Sequence, residues 1–188
     1  TNFFGFNLNK SINSNISSMM SVSGKRAEEI KAIVLDRPRN QYIVDELSEL
    51  NVSVELISDG DVAASLKVAT GSADLYMGIG SAPEGVISAT AVKGLGGHFD
   101  GKLHFHNNEA RIRAEAMMDL PLDSVLSIDA LCKSSNSIFV ATGVCDGWID
   151  GVDISNDYAV TTTILIDVKR SKLEKIIEKF SIEEVNDY

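Results

Sequence analysis

The sequence predicts an α/β protein: a layered sandwich with a largely parallel sheet built from βαβ units, plus some antiparallel strands. Two observations carry this prediction. Between Lys31 and Gly97, short apolar runs alternate with stretches whose apolar residues recur at helical spacing. That rhythm is the signature of parallel strands joined by crossover helices. The second half is more mixed, with two β-rich runs outside the rhythm, Ser137–Val144 and Tyr158–Val168. A chain of 188 residues that is 44% apolar can bury one good core.

In chain order, "FFGFNL" (Phe3 to Leu8) is a short strand candidate, and "NISSMMSVSG" reads as a weak helix closed by Gly24 or as a polar linker, the helix being favoured. "AIVL" (Ala32 to Leu35) is an apolar strand, followed by a helix carrying Ile43, Val44, Leu47 and Leu50. "VSVELI" (Val52 to Ile57) is a second strand, with Val62, Leu66 and Ala69 on the helix after it. "ADLYMGI" (Ala73 to Ile79) is a third, and "EGVISATAVKGLGG" a third helix closed by glycine. "GHFDGKLHF" suggests a strand or hairpin with Asp100-Gly101 at its turn. A helix is expected around "NNEARIRAEAMM". "SKLEKIIEKF" reads as an amphipathic helix with Leu173, Ile176, Ile177 and Phe180 on one face.

Bulk chemistry narrows the function classes. The net charge of -10 argues against general nucleic-acid binding, which needs a basic face. An anionic substrate would need local cations, from arginine or a metal. No apolar run approaches a bilayer span and no signal-peptide pattern opens the sequence, so no membrane is expected and the cytoplasm is the default compartment. Cys132 and Cys145 match neither a zinc spacing nor a disulfide framework.

In open α/β sheets, ligands gather outside the carboxyl ends of the parallel strands. The first strand ends in Asp36-Arg37-Pro38-Arg39, the second in Ser58-Asp59-Gly60-Asp61, and the third in Gly78-Ile79-Gly80-Ser81-Ala82-Pro83-Glu84. Arginine forks and helix N-termini attract phosphate, and carboxylates suit hard cations such as Mg²⁺ or Mn²⁺. Together the loops suggest a phosphorylated substrate handled with a metal. Each also has a plainer reading: Ser58-x-x-Asp61 and Ser81-x-x-Glu84 match capping boxes, each worth about 1 kcal/mol. Ser171-x-x-Glu174 shows the same signature where no chemistry is evident. His104-x-His106 lacks a third ligand, "GIGSAPEG" is not a dinucleotide fingerprint, and Cys145 has no base placed beside it.

The segments "VLDRPRN", "ELISDGDVAASL", "LYMGIGSAPEGVISATAVKGLGG", "FDGKL" and "IFVATGVCDG" run in the order found in class II fructose-1,6-bisphosphatases. From Lys31 to about Thr163 the chain resembles that family, which includes dual fructose/sedoheptulose bisphosphatases. The resemblance implies a metal-dependent, lithium-sensitive type of sugar phosphatase that removes the 1-phosphate of fructose 1,6-bisphosphate with Mg²⁺ or Mn²⁺. It implies phosphate binding by Arg37, Pro38 and Arg39, sugar contacts from Asp59, Gly60 and Asp61, and Glu84 as a metal ligand. Ser81 stands where the family usually has a substrate-contacting glycine; Asn40 and Thr163 replace usual histidines.

The family's remaining metal carboxylates, including an Asp-Gly-Thr motif, lie upstream of the matched region, and nothing from Thr1 to Arg26 resembles them. The resemblance therefore implies a C-terminal half that is inactive alone, holds no identified catalytic residue, and partners the missing N-terminal half. On this reading, residues 1–26 continue from that half, residues 27–188 form the substrate-binding domain, and a homo-oligomer is expected. Two other readings remain: a non-catalytic sugar-phosphate-binding or regulatory module, and an interaction domain whose loops only cap helices.

Overall fold

The computed structural model describes residues 6–117 and 121–182. Its elements run α1 (Ile12–Ser23), β1 (Lys31–Leu35), α2 (Gln41–Glu49), β2 (Ser53–Ile57), α3 (Asp61–Ala69), β3 (Leu75–Met77) and α4 (Ala82–Gly94). There follow β4 (Asp100–Lys102), α5 (Asn108–Met117), β5 (Val125–Ser127), α6 (Ile128–Leu131), β6 (Ile138–Thr142), β7 (Asp153–Ile154), β8 (Tyr158–Asp167) and β9 (Lys172–Ser181). The α/β class is as the sequence predicts, and the βαβ rhythm is observed strand for strand.

The first three strands form a parallel sheet in the order β2-β1-β3. The central strand β1 is buried on both faces, which is why it reads as an unbroken apolar run. Its alternation separates two packing layers. Ala32 and Val34 face Ile12 and Ile16 of α1 and Ile43 and Leu47 of α2. Ile33 faces the other way, onto Ala64 of α3. Beyond α3 and α4 lies a second core, in which Leu66 and Ala91 meet Phe139, Ile164 and Ile166 of the antiparallel sheet. The stack is thus helix, parallel sheet, helix, antiparallel sheet. Asp74 ties the entrances together: it accepts the Lys31 amide at 2.9 Å and pairs with Lys25 at 2.5 Å.

Four local expectations change. The segment from Lys172 to Ser181 is a strand, not a helix, and pairs with β8 along its whole length, Tyr158 opposite Ser181 and Asp167 opposite Lys172. The ten-residue β-branched run of β8 would otherwise present a bare edge. Ladder bonds along that edge outweigh the helical spacing of Leu173, Ile176, Ile177 and Phe180. Ser171-x-x-Glu174 accordingly caps nothing; Ser171 sits in the turn at φ 49. Asp100-Gly101 is not a hairpin turn but lies inside β4, paired with Ser127 and Leu126 of β5. Of the opening strand candidate, Phe3–Gly5 lie outside the described residues and Phe6–Leu8 are not in a strand. Among the described residues, no helix is long and apolar enough to cross a membrane.

Candidate functional site

The register of the parallel sheet places the three loops side by side. Leu35 pairs with Ile57, and Val34 with Met77, so all three strands end within one residue of each other. Asp36, Ser58 and Gly78 then begin loops at a common edge, and each loop leads into a helix.

The β3 loop holds the other two. Asn40 is fully buried and uses both ends of its amide: Nδ2 donates to the Leu35 carbonyl at 2.9 Å, and Oδ1 accepts the Ile79 amide at 3.0 Å. One side chain therefore staples the end of β1 to the loop after β3. The Ile79 carbonyl in turn accepts from Arg39 Nε at 2.7 Å. That bond fixes the root of the guanidinium and leaves its terminal nitrogens for an anion. Arg37 is turned back, donating to the Asp36 carbonyl at 2.8 Å, and Pro38 starts the short 3-10 turn between the two arginines.

The second loop is tied through Tyr76. Its hydroxyl donates to Asp61 Oδ1 at 2.5 Å. Burial first, then the hydrogen bond and charge of Asp61, push the Tyr76 phenol well above its ordinary range, and the nearby Glu84 charge adds to this. Tyr76 is thus a permanent donor that orients Asp61. Gly80 is what permits this: a Cβ there would strike Asp61 Oδ2 and lie 4.0 Å from Glu84 Oε2. Asp61 and Glu84 consequently border the same glycine.

The Ser58-x-x-Asp61 cap does not form. The N-cap of α3 is Gly60, at φ 100, a left-handed conformation that suits glycine. Asp59 accepts the Gly60 amide at 2.9 Å, which shapes that turn, while the Asp61 carboxylate goes to Tyr76. The Ser81-Glu84 capping box is present at α4. Glu84 Oε2 accepts the Ser81 amide at 3.3 Å and the Ser81 hydroxyl at 2.6 Å. The hydroxyl first, then the amide, hold the Glu84 carboxyl below the usual carboxylate range. Glu84 is therefore ionised at neutral pH and aimed at the turn shared with Asp61.

The edge thus brings together Arg39, Asp61, Ser81 and Glu84 through Asn40, Tyr76 and Gly80. Arg37 and Asp59 lie on the same rim but bond to their own backbone. The sequence reading had missed the roles of Tyr76 and Asn40. A tyrosine in a strand between two sheet faces needs a partner for its hydroxyl, and that was the available signal. Asn40 gave none beyond its place after Arg39. Other sequence candidates stay apart: the His104 and His106 rings meet edge to face at 5.7 Å, Thr163 bonds Thr142 at 2.9 Å, and Cys132 and Cys145 are free thiols.

Among the described residues, no group of three or more His, Cys, Asp or Glu side chains could hold an ion. Asp61 and Glu84 are at most a pair, and Mg²⁺ is commonly held by one or two carboxylates together with substrate phosphates.

A family model described as "Bacterial fructose-1,6-bisphosphatase, glpX-encoded" matches residues 5–180. Similar curated proteins are named D-fructose 1,6-bisphosphatase class 2/sedoheptulose 1,7-bisphosphatase. That of Trichodesmium erythraeum is 31% identical over 91% of this chain and 54% of its own length. That of Crocosphaera subtropica is 32% identical over 96% and 56%, and that of Prochlorococcus marinus strain MIT 9515 is 35% identical over 74% and 46%. The chain spans about half the length of the curated relatives it matches. With the family model covering residues 5–180, the chain belongs to the glpX-type bacterial fructose-1,6-bisphosphatase family.

Proposed function

We propose that this chain carries the substrate-binding loops of a metal-dependent sugar-bisphosphate phosphatase that hydrolyses the 1-phosphate of fructose 1,6-bisphosphate. The observation that supports this most is the mutual bonding of the three loops through Asn40, Arg39 and Tyr76. Helix caps alone do not require three loops to be tied together. In this reading Arg37 and Arg39 neutralise substrate phosphate, with Pro38 setting the spacing between them. Asp59 and Asp61 accept hydrogen bonds from sugar hydroxyls beside the Gly60 turn, and Ser81 offers a hydroxyl at the start of α4.

Glu84 is proposed as one ligand of a Mg²⁺ or Mn²⁺ ion whose other carboxylates come from the N-terminal half of the same protein, equivalent to the rest of the relatives' length. The chain alone is then a binding unit with little or no turnover. The lack of a three-acid cluster among the described residues also favours a second reading, a sugar-phosphate-binding module without catalysis.

Titration calorimetry separates these cases. Fructose 1,6-bisphosphate is expected to bind this chain, and Arg39→Ala to weaken it at least tenfold while leaving the circular dichroism spectrum unchanged. Undiminished binding by folded Arg39→Ala would overturn phosphate binding at this rim. Phosphate release with Mn²⁺ once this chain is joined to the N-terminal half, abolished by Glu84→Ala, favours the phosphatase; binding with no release from the joined protein favours the module.

A further inference from the structure

Beside the rim, and sharing Asp59 and Gly60 with it, lies a cleft of about 150 Å³ between α3 and the loop from Gly143 to Gly151. Ala63 and Lys67 line one wall; Gly147 and Trp148 line the other. We propose that this cleft is a subsite for the neutral carbon chain of the sugar bisphosphate, with Trp148 as its aromatic wall. The inference rests on the function proposed above.

Three features of the cleft point to that ligand. Its charge is balanced: Lys67 is already paired with Glu55 at 3.0 Å and Asp59 stands opposite, so a second phosphate finds no unneutralised cation there. An aromatic face beside a carboxylate suits a polyol instead, whose C–H groups pack on the ring while its hydroxyls donate to the acid. Size agrees: about 10–15 Å³ of such volume admits one water, so a cleft of about 150 Å³ has room for several hydroxyl-bearing carbons.

The wall is also preorganised. Trp148 and Ile149 pack on the core formed by Leu66, Ala91 and Phe139. The loop doubles back so tightly that a Cβ at Gly143 would strike the Asp150 carbonyl. The Gly151 amide donates to Asp146 Oδ1 at 3.0 Å, and Lys175 of β9 holds Asp150 at 2.6 Å. A wall fixed before the ligand arrives costs little ordering on binding.

Trp148 is the only tryptophan of the chain, so its emission reports on this cleft directly. The full chain is titrated with fructose 1,6-bisphosphate and, separately, with inorganic phosphate, following both heat and emission. Both ligands are expected to bind, but only the bisphosphate to change the emission, with the same midpoint as its heat. Ala63→Leu, which fills the cleft without touching the arginines, is expected to weaken the bisphosphate about tenfold and to leave inorganic phosphate unchanged. Bisphosphate heat without an emission change overturns the subsite and leaves the proposed function standing, as does undiminished binding by folded Ala63→Leu. If the parent chain binds no bisphosphate at all, the proposed function and the subsite fall together.

Discussion

Replacing Asn40 with alanine tests whether one buried amide holds the candidate site in shape. The side chain is wholly inaccessible to solvent and makes two hydrogen bonds, at 2.9 Å to the Leu35 carbonyl and 3.0 Å from the Ile79 amide. Each such bond contributes about 1 kcal/mol net, and a buried partner left unsatisfied costs about 1–3 kcal/mol. The loss is therefore about 2–4 kcal/mol, a large part of the ~5–15 kcal/mol that holds a domain together but not all of it. At about 2–4 °C per kcal/mol for a chain of this size, the melting point should fall by roughly 5–15 °C while the protein still folds. A local readout accompanies the global one. The Ile79 amide loses its acceptor, so its hydrogen exchange should accelerate well beyond what the global loss of stability explains.

Asn40→Asp separates the two bonds. The carboxylate keeps the acceptor for Ile79 but sets a buried charge against the Leu35 carbonyl. Burial and that carbonyl raise the carboxyl pKa in the folded state above its unfolded value. Stability of Asn40→Asp should then be greatest below the unfolded pKa, where the acid is protonated and can donate, and be lost as pH rises through the folded pKa. A melting point within about 2 °C of the parent for Asn40→Ala, well short of the shift above, together with unchanged Ile79 exchange, would refute the staple.

Substitutions at three other positions read different joints of the same structure. Tyr76→Phe removes the donor to Asp61 and should cost about 1 kcal/mol in denaturant titrations near neutral pH. Because the folded Tyr76 pKa lies above the ordinary 10.0, its stabilisation is complete below pH 10.0 and is lost as pH rises toward the folded value; Tyr76→Phe should lack this alkaline decline in midpoints measured from pH 9 to 11. Gly80→Ala drives a methyl group into Asp61 and should cost about 1–3 kcal/mol, with bisphosphate binding by calorimetry reduced as well. Ser171 stands at φ 49 in the β8–β9 turn, so Ser171→Gly should match or exceed the parent's stability, whereas Ser171→Val should lower it by about 1–2 kcal/mol in thermal melts.

The parallel sheet was legible because its pattern and its environment agree. Lys31–Leu35 is apolar throughout and lies between two helical layers, so nothing in its surroundings contradicts the local signal. Lys172–Ser181 failed for the opposite reason. Leu173, Ile176, Ile177 and Phe180 have clean helical spacing, but the decision belongs to β8, ten residues of ladder that no local window can include. The capping boxes divide in the same way. Ser81-x-x-Glu84 forms because Ser81 truly precedes a helix, whereas Ser58 is displaced once Gly60 takes the left-handed turn and Asp61 turns to Tyr76.

A cap and a ligand at Glu84 were weighed in the sequence as competing roles, and the geometry shows how one conformation can serve both. The carboxyl is held below the usual carboxylate range by the Ser81 hydroxyl and amide through the single oxygen Oε2. A carboxylate has two oxygens, and the cap uses only Oε2, which lies beside the Gly80 turn where Asp61 is already oriented by Tyr76; Oε1 takes no part in it. The cap thus fixes the direction of an ionised acid at the same edge as Arg39. Among the described residues, no third His, Cys, Asp or Glu joins Asp61 and Glu84 in a group that could hold an ion. On the function proposed above, a turn that orients two carboxylates and an arginine at one edge is one wall of the phosphorylated-sugar site, and the cap on α4 is what keeps Glu84 in place there.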